Sequence, residues 1–86
     1  MKIYTVYDFM SELDNLKPVA EDVRFFLRLK NIPNIRYLIK DNVIVGYRIP
    51  VPMVGMVPAR KYLRWTVPYV VNDNGEYYLE FKKEVR

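Results

Sequence analysis

From Ile35 to Ile49 the chain alternates. Ile35, Tyr37, Ile39, Val43, Val45, Tyr47 and Ile49 all fall on odd positions, with Arg36, Lys40 and Arg48 between them. Successive side chains of a strand point to opposite faces, so this pattern predicts a hairpin with one apolar face and one wet, basic face. For the odd positions to stay on one face after the reversal, the loop must hold an odd number of residues. Lys40-Asp41-Asn42 is the expected loop, with Asn42 in the left-handed conformation. A second hairpin follows the same parity, Leu63, Trp65, Val67, Tyr69 and Val71 opposing Tyr77, Leu79 and Phe81. A two-residue Asn74-Gly75 turn would split those sets between faces, so the expectation is a three-residue loop, Asp73-Asn74-Gly75, with Gly75 at positive φ and Arg64 opposite Glu84.

Before Ile35 the period is that of a helix. Thr5 followed by Asp8 reads as a capped helix start, and Val6, Phe9, Met10, Leu13 and Leu16 keep helical spacing while Asp8, Ser11 and Glu12 stay wet. The first helix is expected to run to about Leu13. Asp14-Asn15-Leu16-Lys17 is then a turn, and Pro18 suits the first position of a second helix over about 18–30, stopped at Asn31 before Pro33. The fold class expected for the single domain 1–86 is α+β, with two N-terminal helices followed by two antiparallel β-hairpins.

The side-chain inventory excludes several chemistries. The chain has no His and no Cys, and Ser11 is its only serine, so Ser/His and Cys/His nucleophile systems and thiolate or imidazole metal sites are out of reach. Asp8 with Glu12, and Glu80 with Glu84, are the carboxylate pairs available, and each reads more simply as a solvated face. Gly46, Gly55 and Gly75 are too dispersed to cradle a phosphate. No enzyme activity, metal or cofactor is expected. The start lacks a signal pattern, and the longest uncharged run, Ile49 to Ala59, is shorter than the roughly 18 to 20 residues a span needs, which predicts a cytoplasmic protein. Absent Gln, His and Cys with abundant Tyr, Val and charge fit a thermophilic source, against which stand six Asn.

Charge is unevenly spread within the net +4. Residues 23–72 carry nine Lys or Arg against the single Asp41, whereas residues 1–22 hold two Lys and five carboxylates. The middle segment is therefore the candidate anion-binding surface, the alternative being scattered solvated charge. Basic and aromatic residues interleave at Arg36-Tyr37, Tyr47-Arg48 and Arg60 to Trp65, a mixture that grips phosphates and stacks on bases. Tyr37, Tyr47 and Trp65 lie on apolar strand faces and read as core, leaving Tyr62 and Tyr78 as exposed contacts.

The capped helix at Tyr4-Thr5-Val6, a second helix with Val23, Phe26, Leu27 and Arg28, the closing Ile32-Pro33 and the hairpin end Tyr47-Arg48-Ile49-Pro50 resemble the winged helix-turn-helix of excisionase and MerR-type DNA-binding proteins. The resemblance covers Ile3 to Pro50. It implies a winged-helix-like fold and a transcriptional regulator binding double-stranded DNA. Arg24 and Arg28 of the second helix would face the duplex, with Arg36, Lys40, Asn42 and Arg48 on the wing. Phe25 and Leu29 fall on the same side as those arginines, which makes the helix apolar on two sides.

Two other binding modes compete with that one. A single-strand or RNA binder would use Arg60, Tyr62 and Arg64 on the second hairpin. A protein-interaction module or inhibitor would dock through Pro50 to Pro58, a stretch without one charged or hydrogen-bonding side chain. Its prolines restrict the backbone to extended or turn forms, so Met53, Val54, Met56 and Val57 are either a kinked edge on the core or the interface of a homodimer.

Overall fold

Thr5 starts the first helix through a reciprocal capping box. Its hydroxyl accepts from the Asp8 N–H at 3.2 Å, and the Asp8 carboxylate accepts from the Thr5 N–H at 3.1 Å. Helix α1 covers Val6–Ser11 and a 3-10 turn, η1, covers Leu13–Asn15, so the expected helix breaks at Glu12. The computed structural model describes residues 1–16, 20–57 and 68–83. Helix α2 is Ala20–Leu29; the expected start at Pro18 lies outside the described residues. Its end tightens into 3-10 bonds from Lys30, Asn31 and Ile32 to the carbonyls of Leu27, Arg28 and Leu29.

Five strands, β1 (Lys2–Tyr4), β2 (Arg36–Lys40), β3 (Val43–Pro50), β4 (Tyr69–Asp73) and β5 (Glu76–Lys82), form one antiparallel sheet in the order β1-β2-β3-β5-β4. A 3-10 turn, η2 (Val51–Met56), follows β3. This order overturns the expected winged-helix-like arrangement of two helices followed by two hairpins. The chain opens with a strand, inserts its helices between β1 and β2, and fuses both hairpins into a single sheet through β3–β5 pairing. Periodicity does not reveal β1, because Lys-Ile-Tyr is too short to complete two alternations.

Both described α-helices pack on one face of the sheet, the helix face. Phe9 of α1 stacks on Tyr37 with ring centroids 4.1 Å apart, and Phe25 and Phe26 of α2 meet Tyr47 and Tyr37 edge-on. The Tyr37 hydroxyl donates to the Phe26 carbonyl at 2.8 Å, giving one of the carbonyls at the end of α2 a partner. Burial raises the Tyr37 phenol well above its ordinary value. Leu29, Ile32, Ile35, Ile39, Ile44, Ile49 and Phe81 complete this core.

Both turns differ from expectation in the same way. Asp41-Asn42 and Asn74-Gly75 are two-residue loops with positive φ throughout (53°, 62°, 53° and 87°), the twist that joins antiparallel strands most directly. In the first hairpin the pairing slips by one residue: Leu38 faces Gly46 but Ile39 faces Ile44, leaving Val45 as a bulge. The bulge supplies the odd count that the loop was expected to supply. Tyr37 and Tyr47 thus share the core face as the sequence implied, but Ile44 enters the core in place of Val43 and Val45. The second hairpin has no bulge. Tyr69 and Val71 therefore lie on the face of Tyr78 and Glu80, and Val70 joins Leu79 on the helix face. Leu63, Trp65, Val67 and the expected Arg64–Glu84 pair lie outside the described residues.

Beside the bulge, β5 comes so close that a Cβ on Gly46 would sit 2.2 Å from the Phe81 carbonyl oxygen. At Gly75 an added Cβ would meet nothing within 4 Å, and only the positive φ opposes it. Gly46→Ala should therefore cost about 3 kcal/mol by forcing two strands apart, against about 1 kcal/mol for Gly75→Ala. Urea unfolding of the two variants checks the ranking, and equal losses would show that β5 does not approach β3 this closely.

Candidate functional site

On the back face of the sheet the register lines up Arg36, Arg48, Glu80 and Tyr69 across β2, β3, β5 and β4. Glu80 is only 1% exposed. Its carboxylate accepts from Arg48 Nε at 2.7 Å and from the Tyr69 hydroxyl, and Lys82 Nζ lies 3.6 Å away. Burial by itself would raise the carboxyl. The hydrogen bonds from Tyr69 and Arg48 and the charges of Arg48 and Lys82 outweigh that and hold it below the usual 4.5. The carboxylate thus joins β3, β4 and β5 through charge-assisted hydrogen bonds.

A second constellation lies at the far end of the molecule. The turn η2 packs on β3 and β5, placing Val51 and Pro52 beside Val70, Gly75, Glu76 and Tyr77 around an open groove of about 500 Å³. Val70 is 60% exposed, Tyr77 56% and Met56 52%, and Val54 adds further open apolar surface. Monomers rarely leave contiguous apolar surface open without a use for it. At the hairpin tip Asp73 and Glu76 are cross-strand partners, and among the described residues neither carboxylate is in an ion pair or side-chain hydrogen bond.

The residues expected to bind nucleic acid do not form one surface. Arg24 and Arg28 are exposed on α2, over the helix face, while Phe25, Phe26 and Leu29 are buried beneath them. Phe25 and Leu29 thus turn inward rather than sharing the wet side with the arginines. Arg36 and Arg48 belong to the opposite side of the sheet, Arg36 donating to the Ile35 carbonyl and Arg48 committed to Glu80. Lys40 and Asn42 are exposed at the β2–β3 turn, beside an open cleft lined also by Met1, Lys2, Ile39 and Asp41. Tyr78, expected to be exposed, is buried, between Pro50 of β3 and Val71 of β4 in the register. Arg60, Tyr62 and Arg64 lie outside the described residues.

The apolar connection divides in two. It coils as η2 instead of running extended, so Met53 and Val57 pack partly on the core while Val54 and Met56 face outward. Val70, Tyr77 and the Glu80 row escape a reading by parity. Asn74-Gly75 is itself the sequence signal that would have found them, since Asn-Gly favours the two-residue turn. Among the described residues no helix is long and apolar enough to cross a membrane, and no carboxylates cluster to hold a metal ion. No family model matches the chain, and no curated protein or solved structure shows significant similarity to it.

The Glu80 row yields a pH prediction. A carboxyl whose folded value is depressed stabilises the fold above its unfolded value and loses that contribution as pH falls through the folded value. Glu80→Gln should cost about 3 kcal/mol near neutrality, because Arg48 loses its buried counter-charge. The gap between parent and variant should stay level from about pH 8 to about pH 5 and close as pH drops below 4.5. Urea midpoints of both proteins across that range test it; a gap constant into strong acid would mean that the charge of Glu80 contributes nothing.

Proposed function

We propose that this chain is a non-catalytic protein-interaction module that docks through the apolar end formed by η2 and the β4–β5 hairpin. The observation that carries this reading is the exposure of Val70 on the marginal strand β4 and of Tyr77 on its neighbour β5, beside Val51 and Pro52 of η2. Exposed aromatic and aliphatic side chains around a groove are the anchors that protein interfaces bury first. A photo-crosslinking residue placed at Tyr77 in cells that make the protein should give a discrete adduct. The same residue at Tyr7, 82% exposed on α1, is the control for exposure alone. Val70→Lys should abolish the adduct. Labelling that is equal at the two positions, or absent from Tyr77, would remove the docking surface.

A second reading, duplex DNA binding, is favoured by Arg24 and Arg28, exposed four residues apart on α2 with Lys30 open just beyond the helix. Side chains at that spacing project from one helix face and can meet successive phosphates. Replacing both arginines with Ala should weaken duplex binding while leaving the fold intact. The log affinity against log salt slope should flatten by about 0.9 for each phosphate that is no longer neutralised. Unchanged affinity and slope would refute this reading without touching the first.

A further inference from the structure

The groove at the hairpin end is apolar on its walls and acidic at its rim. Val51, Pro52, Val70 and Tyr77 supply the walls and Glu76 lines the opening; the Asp73–Glu76 cross-strand pair has the parity of Tyr78 and Glu80, so its carboxylates belong to the back face beside that opening. Like charges placed opposite one another repel, and among the described residues no cation is paired with either carboxylate. The placement runs against the chain as a whole, which carries net +4. A ligand that brought positive charge to this rim would relieve the repulsion while burying the exposed valine and tyrosine.

Resting on the interaction-module reading, we propose that the groove takes an extended segment of a partner protein in which an aliphatic residue is flanked by Lys or Arg. Alternate side chains of an extended segment point to opposite faces, so the aliphatic side chain covers Val70 on the helix face while the flanking cations meet Asp73 and Glu76 on the back face. Strand β4 offers such a segment a backbone template. Among the described residues it pairs with β5 on one side only, and its sequence Tyr-Val-Val-Asn-Asp contains neither Lys nor Pro, the residues that commonly guard an open edge. A second copy of this chain is the poorer occupant. A two-fold contact across the groove would present the same carboxylates from both sides, and none of the described residues lining the groove is a cation.

The test uses the full chain labelled with ¹⁵N and two synthetic peptides, acetyl-Lys-Ile-Lys-Val-Lys-amide and its counterpart with Glu in place of each Lys. The Lys peptide should shift the amide resonances of Val51, Val70, Gly75 and Tyr77. It should bind roughly tenfold more tightly than the Glu peptide at low salt, and the preference should shrink as salt rises. In the double variant Asp73→Asn, Glu76→Gln the two peptides should bind alike. Equal binding of both peptides to the parent, or a preference that survives in the double variant, overturns the charge recognition. If neither peptide binds while Tyr77 still yields its adduct in cells, the cationic occupant is wrong and the docking surface stands. If the adduct is missing too, both fall. Shifts of the same amides with protein concentration alone would name a second copy as the occupant and overturn the proposal.

Discussion

One extra residue, Val45, decides which side chains of β3 enter the core. A two-residue turn alone would send the odd and even positions of β2 and β3 to opposite faces. The bulge restores the phase, so that Ile44 pairs with Ile39 on the turn side of the slip while Tyr47 pairs with Tyr37 beyond it. The same phase brings Tyr47 over Phe81 as a stacked pair with centroids 4.9 Å apart. It also puts Arg48 opposite Glu80 on the back face. Gly46 makes the slip possible, since β5 passes within a distance that no side chain tolerates. The Val45 carbonyl keeps a partner as well, accepting from Lys83 N–H at 2.8 Å. A local defect in one strand thus fixes the composition of both faces.

Much of this was legible in the sequence, wherever the signal is local. The Thr5 cap needs only Asp8 three residues on, and the end of α2 is marked by Asn31 and Pro33. Tyr37 and Tyr47 could be placed in the core because alternation spans a whole strand. Turn length could not be read the same way. Parity counts only the sum of loop and bulge residues, and Val45 as a bulge satisfies that sum as well as a longer loop does. The resemblance to a winged helix-turn-helix rested on short local matches and had no means of registering β1 or the pairing of β3 with β5, which join residues far apart in the chain. At the candidate site the same limit applies. Asp73, Glu76 and Tyr77 are neighbours in sequence, but Val51 reaches them only through the β3–β5 register.

The Glu80 row shows what the back face requires. Arg36 and Arg48 are cross-strand neighbours of like charge, and Lys82 stands two residues along β5 from Glu80. Glu80 contacts both Arg48 and Lys82 of this cluster, and its near-complete burial strengthens the contacts it makes. Two of its partners come from other strands, Arg48 from β3 and Tyr69 from β4, so the row ties β4 to the centre of the sheet on the side where no described α-helix packs. That anchoring also bears on function. Arg48 is neutralised by Glu80, whereas Arg36 donates to a neutral carbonyl and keeps its charge.

The exposed end follows from a mismatch of widths. A helix is about 10 Å across and neighbouring strands lie about 4.8 Å apart, so each helix shelters about two strands. The two described α-helices cover about four, and the described residues form five strands. Helix α1 touches β1 and β2, while α2 reaches across Tyr37 and Tyr47. Phe81 and Leu79 of β5 still lie against the core, and β4 falls beyond it. The two-residue turn then determines what β4 presents there: Val70, paired with Leu79, and Asn72, paired with Tyr77, share the helix face past the end of its cover. The turn η2 shelters the margin only in part, because Met53 and Val57 turn inward and leave Val51 and Val54 outside. Among the described residues an apolar groove at this end therefore follows from laying five strands under two short α-helices.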